Sequence, residues 1–322
     1  MKIGNVSLRH GVALAPMAGY TDRAMRLMCH NAGAEYTVTE MVSAKAVVYN
    51  DKKTFALSRI REDEGPVGIQ IFGSEPEIMA EAARILSAPA EGAPPVAIDI
   101  NMGCPVKKIF SNGEGSALMR DPKLIERIVA SVAAATHLPV TVKLRAGITE
   151  DNLNAVECAK AAEAAGAAAI CIHGRTTSQM YGGSCNRKII ENVKRSLHIP
   201  LFANGDITNG EEALSMLSAT GADGIMVGRG AVGNPFIFTE ILSRLSGSQF
   251  VTPTVRERRD ASLYQLRIAI EDKGERLAVP EARKQIALYL KYFHGAAQIR
   301  AKINAATTYA EVEEALKFEA DC

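Results

Sequence analysis

The chain has 322 residues, enough for one large domain and a smaller one, and its 47% hydrophobic and 23% charged content is that of an ordinary globular protein. No apolar run approaches the 18 or so residues of a membrane-spanning helix, and the N-terminus Met-Lys-Ile-Gly-Asn-Val lacks the apolar stretch of a signal peptide, so a cytoplasmic protein is expected. With 37 basic and 36 acidic residues the net charge is +1, and the overall balance gives no argument for a nucleic-acid partner.

Eight short aliphatic or β-branched runs follow one another along the chain, at 12–17, 36–41, 67–72, 96–102, 140–145, 169–173, 201–206 and 224–229. They are near-continuous in hydrophobicity, as parallel strands buried on both faces are. Helix-period segments separate them. The first ends near Gly33. Segment 75–88 opens on the capping-box pair Ser74 and Glu77, and 121–136 starts with Asp121 as N-cap and Pro122 as first helical residue. The fifth helix ends near Gly166, and the seventh opens with Asn209 and Glu212 and ends near Gly221. Strand and helix alternating eight times over this length is the order of a TIM barrel, with a doubly wound open sheet as the alternative. The barrel is preferred because nearly every run ends in a chemically capable residue: Met17, Glu40, Gln70, Asn101, Lys143 with Arg145, His173, Asn204 with Asp206, and Arg229. A barrel gathers such ends around one mouth, whereas an open sheet spreads them along an edge.

After an eighth helix at about 234–245, residues 246–255 read as a linker, and from Arg256 to 322 the pattern is that of a small all-helical domain of three or four helices. Leu263, Leu266 and Ile270 form one apolar stripe, and Ile286, Tyr289, Leu290 and Phe293 another. Residues 252–302 carry 11 basic and 6 acidic side chains, which suits either a polyanion-binding face or a solvated helical surface.

Gly205-Asp206 after the seventh strand and Gly228-Arg229-Gly230 after the eighth are amide-rich turns where barrels keep phosphate sites. Lys143 and His173 sit beside them on the fifth and sixth strands. A cation there stabilises the anionic reduced ring of a flavin, and Gln70 from the third strand can bond the opposite edge. The six cysteines (29, 104, 158, 171, 185, 322) contain no CxxC, so free thiols and no metal site are expected. Cys104 stands apart because Gly103 and Pro105 hold it in a turn just past the fourth strand. A thiol there can donate a proton or attack as thiolate.

In Leu14-Ala-Pro-Met-Ala-Gly-Tyr-Thr-Asp22, Gln70-Ile-Phe-Gly73, Asp99-Ile-Asn-Met-Gly-Cys-Pro105, Gly115-Ser-Ala-Leu118, Val142-Lys-Leu-Arg145, His173-Gly-Arg-Thr176, Ala203-Asn-Gly-Asp-Ile207 and Met226-Val-Gly-Arg229, the chain closely resembles the tRNA-dihydrouridine synthase family. The stretch Gly103-Cys-Pro-Val-Lys-Lys108 leans toward its B-type bacterial branch. The resemblance implies an FMN enzyme, reduced by NADPH or NADH, that reduces the C5–C6 bond of a uridine in tRNA. It implies FMN binding by Pro16, Met17, Gln70, Lys143, His173, Asn204, Gly205, Asp206, Gly228 and Arg229, and places Asn101 and Arg175 toward the uracil. Cys104 then protonates C5 while hydride goes to C6, the last domain binds tRNA, and a monomer is expected. Three positions depart from the family pattern: Thr177 where a basic residue is usual, Ser184-Cys-Asn-Arg187 where an acidic-aromatic pair is usual, and Gln285 where histidine is common. A dihydroorotate dehydrogenase-like barrel acting on a free pyrimidine is the nearest alternative, and an RNA-binding protein with a decayed site is another. The appended basic helices argue against the first, and the complete set of Cys104, Lys143, His173 and Arg229 against the second.

Overall fold

The structure is a computed structural model that describes residues 1–291 and 295–317. Eight parallel strands close on themselves: β1 (Val12–Leu14), β2 (Tyr36–Val38), β3 (Val67–Phe72), β4 (Ala97–Met102), β5 (Val140–Arg145), β6 (Ala169–His173), β7 (Leu201–Asn204) and β8 (Gly224–Val227), with β8 paired to β1. This is a (β/α)8 barrel, not an open sheet. Strand alternation divides its residues. Val12, Leu14, Ile69, Ile71, Ile98, Ile100, Val142 and Leu144 point outward into the main core beneath the helices. Ala13, Tyr36, Ala97, Ala169, Cys171, Phe202 and Met226 fill the interior instead. An N-terminal hairpin, Lys2–Ile3 with Val6–Ser7, brings Ile3 and Leu8 against that interior cluster.

All eight predicted strands exist, but four of them stop short. The first ends at Leu14, the seventh at Asn204 and the eighth at Val227, so Pro16, Met17, Asp206 and Arg229 lie in the loops that follow. The second was expected over 36–41. It breaks after Val38 and resumes as Val42–Ser43, which pairs with the outer half of β3 (Val42 with Ile71). The Thr39 side chain fills the gap by accepting the Gln70 backbone N–H at 3.1 Å.

Around the barrel run α1 (Arg23–Asn31), α2 (Ala44–Val48), α3 (Lys52–Ser58), α4 (Pro76–Ser87), α5 (Lys107–Ser111), α6 (Pro122–Ala135), α7 (Ala155–Ala164), α8 (Arg187–Ser196), α9 (Gly210–Thr220) and α10 (Ile237–Ser246). Asp121 caps α6 through the Leu124 N–H, and Asn209 caps α9 through that of Glu212. The box expected from Ser74 and Glu77 does not form, because Pro76 takes the first helical position and leaves Glu75 as a cap without a side-chain bond. The eighth helix begins at Ile237, three residues late, since Asn234 to Phe236 are used in a turn.

Beyond the barrel lie α11 (Val255–Lys273), α12 (Glu275–Ile286), α13 (Ala296–Ala305) and α14 (Tyr309–Ala315). Their own core joins Leu263, Leu266, Val279, Ile286, Leu290, Ile303 and Leu316. Phe293 and Cys322 fall outside the described residues. A seam of Ala24, Leu27 and Met28 from α1 with Ile268, Ala269 and Ala278 packs these helices onto the barrel.

Candidate active site

Parallel pairing sets the polar interior. β3 and β4 align Gln70 with Asp99, β4 and β5 align Asn101 with Lys143, β5 and β6 align Arg145 with His173, and β6 and β7 align His173 with Asn204. Residues two apart on a strand face the same way, so Asp99 and Asn101, and Thr141, Lys143 and Arg145, climb the inner wall toward the mouth. There the side chains interlock. Lys143 Nζ donates to Asn204 Oδ1 at 3.0 Å, and Asn204 Nδ2 donates to the Met226 carbonyl at 2.6 Å. Gln70 Nε2 donates to Asp99 at 2.6 Å, Thr141 Oγ1 to the other Asp99 oxygen at 2.5 Å, and Asn101 Nδ2 to Gln70 Oε1 at 2.8 Å.

Cys104 sits on the loop after β4, and its backbone is fixed from three sides. Asn101 Oδ1 accepts the Cys104 N–H at 2.9 Å, Ser116 donates its hydroxyl to the Cys104 carbonyl at 2.9 Å, and Arg145 Nε donates to the Gly103 carbonyl at 2.7 Å. Partial burial pushes the thiol above its ordinary pKa, opposed by the Val106 N–H and the Arg145 charge. The thiol therefore stays protonated at neutral pH. That state is compatible with a proton donor.

His173 is buried among Lys143, Arg145, Arg175 and Arg229, and burial together with those cations lowers its pKa to about 2, so it is neutral. Burial and neighbouring arginines bring Arg145 down to about 10, still charged at neutral pH. Arg175, expected to face substrate, has a side chain only 3% exposed. Its donors go to the Gly182 and Gly183 carbonyls and the Asp206 carboxylate, and Nη1 lies 3.5 Å from His173 Nε2. In this arrangement it ties the loop after β6 to the turn after β7. Asn101 likewise spends its oxygen on the Cys104 turn, with Nδ2 shared between Gln70 and Met41 Sδ at 3.5 Å.

The turn after β7 is bent by Gly205 (φ +127°) and Asp206 (φ +50°), where a Gly205 Cβ would lie 2.7 Å from Cys185 Sγ. Burial pushes the Asp206 carboxyl up, but the Cys185 N–H and Arg175 outweigh it and hold the group below its usual range. A Cβ on Gly228 would come within ordinary contact of Met17 Sδ at 3.7 Å, Ala15 and Asn204, so Met17, Asn204 and Gly228 are neighbours at the mouth. Thr21 and Met17 bond reciprocally, which holds Pro16 and Met17 at its edge. Arg229 is 58% exposed and stands 5.1 Å over the Tyr181 ring, which also faces Arg145 at 5.8 Å.

The structure thus gathers every expected site residue at one mouth and adds Asp99, Thr141, Ser116 and Tyr181. Asp99 was legible in principle as the residue two before Asn101 on one strand face. Ser116 stands in the family-like stretch Gly115-Ser-Ala-Leu118, but its bond to Cys104 had no local signal, and Tyr181 had none, since loop folding places both. Of the departures from the family pattern, Thr177 is buried and donates its N–H to the Gly147 carbonyl at 2.9 Å, and Asn186 caps α8. Gln285 accepts from Gln265 Nε2 and donates to the Tyr20 carbonyl at 3.1 Å.

A sequence model described as dihydrouridine synthase (Dus) matches residues 13–321. The chain is 40% identical over 307 residues to tRNA-dihydrouridine synthase B of Pseudomonas putida, covering 95% of this chain and 90% of that protein. It is 39% identical over 322 residues to tRNA-dihydrouridine synthase B of Shewanella oneidensis, covering 100% and 98%, and 39% identical over 306 residues to a probable tRNA-dihydrouridine synthase of Rickettsia conorii, covering 94% and 91%. With its barrel, its polar mouth and these matches along nearly its whole length, the chain belongs to the dihydrouridine synthase family, in the B-type branch.

Proposed function

We propose that this protein reduces the C5–C6 bond of a uridine in tRNA, with FMN as its flavin and NADPH, or NADH, as the reductant. The carrying observation is the Cys104 turn, its backbone locked by Asn101, Ser116 and Arg145 at the mouth that holds Lys143, Asn204 and Gly228.

The residues present fit a flavin mononucleotide. Beside Met17, Asn204 and Gly228 the side chains offer the donors a ring with polar edges needs, from Lys143 and Gln70. His173, Gly205, Asp206 and Arg229 lie where ring and phosphate would be held, and Pro16 supports Met17. What the flavin supplies when bound is a hydride for C6 of the uracil. Charge then develops at C5, and Cys104 Sγ places its proton there. Asn101 assists by offering Nδ2 to a uracil carbonyl in place of Met41 Sδ, a weak acceptor. Arg175 acts through His173 and Asp206 by keeping both in place.

The target nucleotide must leave its stack to reach the mouth, which costs a few kcal/mol and favours a loosely stacked loop position. The helical region 256–322, basic as far as Lys302, is the tRNA-binding unit, 246–255 the linker and 1–245 the FMN-binding barrel of a cytoplasmic monomer. The purified protein is expected to be yellow and to restore dihydrouridine in tRNA from a strain that lacks it. Reduction of free orotate or uracil with none of tRNA would overturn the reading in favour of a free-pyrimidine enzyme.

A further inference from the structure

We propose that Asp99 is a positioning residue that fixes which way the Gln70 amide points and so makes Gln70 a hydrogen-bond donor toward the ring bound above it. The proposal rests on the flavin reading and adds a residue to it. A side-chain amide is nearly symmetric in shape, so a lone glutamine can turn end for end at little steric cost. Gln70 cannot. An ionised carboxylate only accepts, and Asp99, buried inside the barrel with its pKa raised by burial to about 6, is still mostly ionised at neutral pH. It takes Gln70 Nε2 on one oxygen at 2.6 Å and the Thr141 hydroxyl on the other. Reversing Gln70 would set Oε1 against that carboxylate in a buried setting, where facing acceptors are costly.

The direction propagates. With its nitrogen on Asp99, Gln70 presents Oε1 to Asn101 Nδ2 at 2.8 Å, which leaves Asn101 Oδ1 to receive the Cys104 N–H at 2.9 Å. One carboxylate thereby orients two amides and reaches the backbone of the proposed acid. Among the described residues the second Nε2 hydrogen of Gln70 has no partner, and it is available to a carbonyl oxygen at the ring edge. In Asp99→Asn, either end of Gln70 finds a match, because the new amide offers both a donor and an acceptor.

The test titrates FMN into apoprotein, followed by quenching of flavin fluorescence, for the parent, Asp99→Asn, Gln70→Met and the double variant. Asp99→Asn should weaken FMN about tenfold, as expected when one buried hydrogen bond is lost. The double variant should bind no more weakly than Gln70→Met. An unchanged Asp99→Asn or additive losses in the double variant would each overturn the proposal. Failure of the parent to bind FMN would remove the flavin reading itself. If Asp99→Asn does not fold, the parent holoprotein decides the matter. Its Gln70 side-chain amide, assigned in ¹⁵N spectra through Gln70→Met, should have one proton shifted well downfield by the carboxylate hydrogen bond, and both protons at their ordinary positions would refute a nitrogen held on Asp99.

Discussion

Cys104 and Lys143 carry different parts of the proposed reaction and should fail differently. Cys104→Ala is expected to keep FMN and reductant oxidation but to lose uridine reduction by about two to four orders of magnitude, the usual worth of a positioned acid. Single-turnover transfer from the reduced holoenzyme to tRNA would measure it, and full turnover would refute the acid role. Because burial raises the thiol's pKa, the proton is held to higher pH than in a free thiol. The same single-turnover rate should therefore be flat through neutrality and fall only above pH 9, the ordinary thiol value. Lys143→Ala should instead release flavin or slow its reduction, visible in the absorbance of the purified protein. Both residues were legible in the sequence, one by its irregular turn and the other by its strand-end position. The bonds that define them were not, since Ser116 and Asn204 reach them from 12 and 61 residues away.

At the scale of elements, a buried ion pair fixes α1 to the turn before β3. Arg26 Nε donates to Glu64 at 2.7 Å and Nη1 to the Thr21 carbonyl at 2.9 Å, with both side chains almost fully buried. The pair also steadies the loop that carries Met17, because Thr21 is the residue bonded to it. Arg26→Met strands the Glu64 carboxyl and should cost about 3–5 kcal/mol in urea unfolding, whereas Arg26→Met with Glu64→Leu should recover much of that loss. A single variant within about 0.5 kcal/mol of the parent would show that the pair does not hold these elements. Helix boundaries were readable where a local device sets them, such as Asp121 before Pro122 or Gly33 and Gly166 with positive φ just past α1 and α7. The break in β2 was not. It follows from Thr39 and Val42 bonding β3, a non-local choice.

For the whole molecule, the helical region meets the barrel beside the mouth. Lys273 pairs with Asp22 at 2.7 Å, Gln285 donates to the Tyr20 carbonyl, and Lys284 lies 4.6 Å from the Tyr20 ring while remaining exposed. Tyr20 belongs to the turn that presents Met17, so tRNA docked on these helices would lie next to the flavin loop. Lys284→Glu should raise KM for tRNA about tenfold at low salt with flavin absorbance unchanged, and the penalty should shrink as salt rises. A KM that ignores both the substitution and the salt would place tRNA elsewhere.

The sequence by itself determined the eight strands, the barrel, the helical extension and the identity of the residues at the mouth, because strand hydrophobicity and strand-end chemistry are local properties. Only the tertiary structure decided how those residues are used. Parallel register set Gln70 against Asp99 and Asn101 beside Lys143, burial left His173 neutral and Cys104 protonated, and the folding of the loop after β6 turned Arg175 inward onto Asp206. Hydrogen-bond direction and charge state depend on neighbours distant in the chain, and only the closed barrel brings those neighbours together.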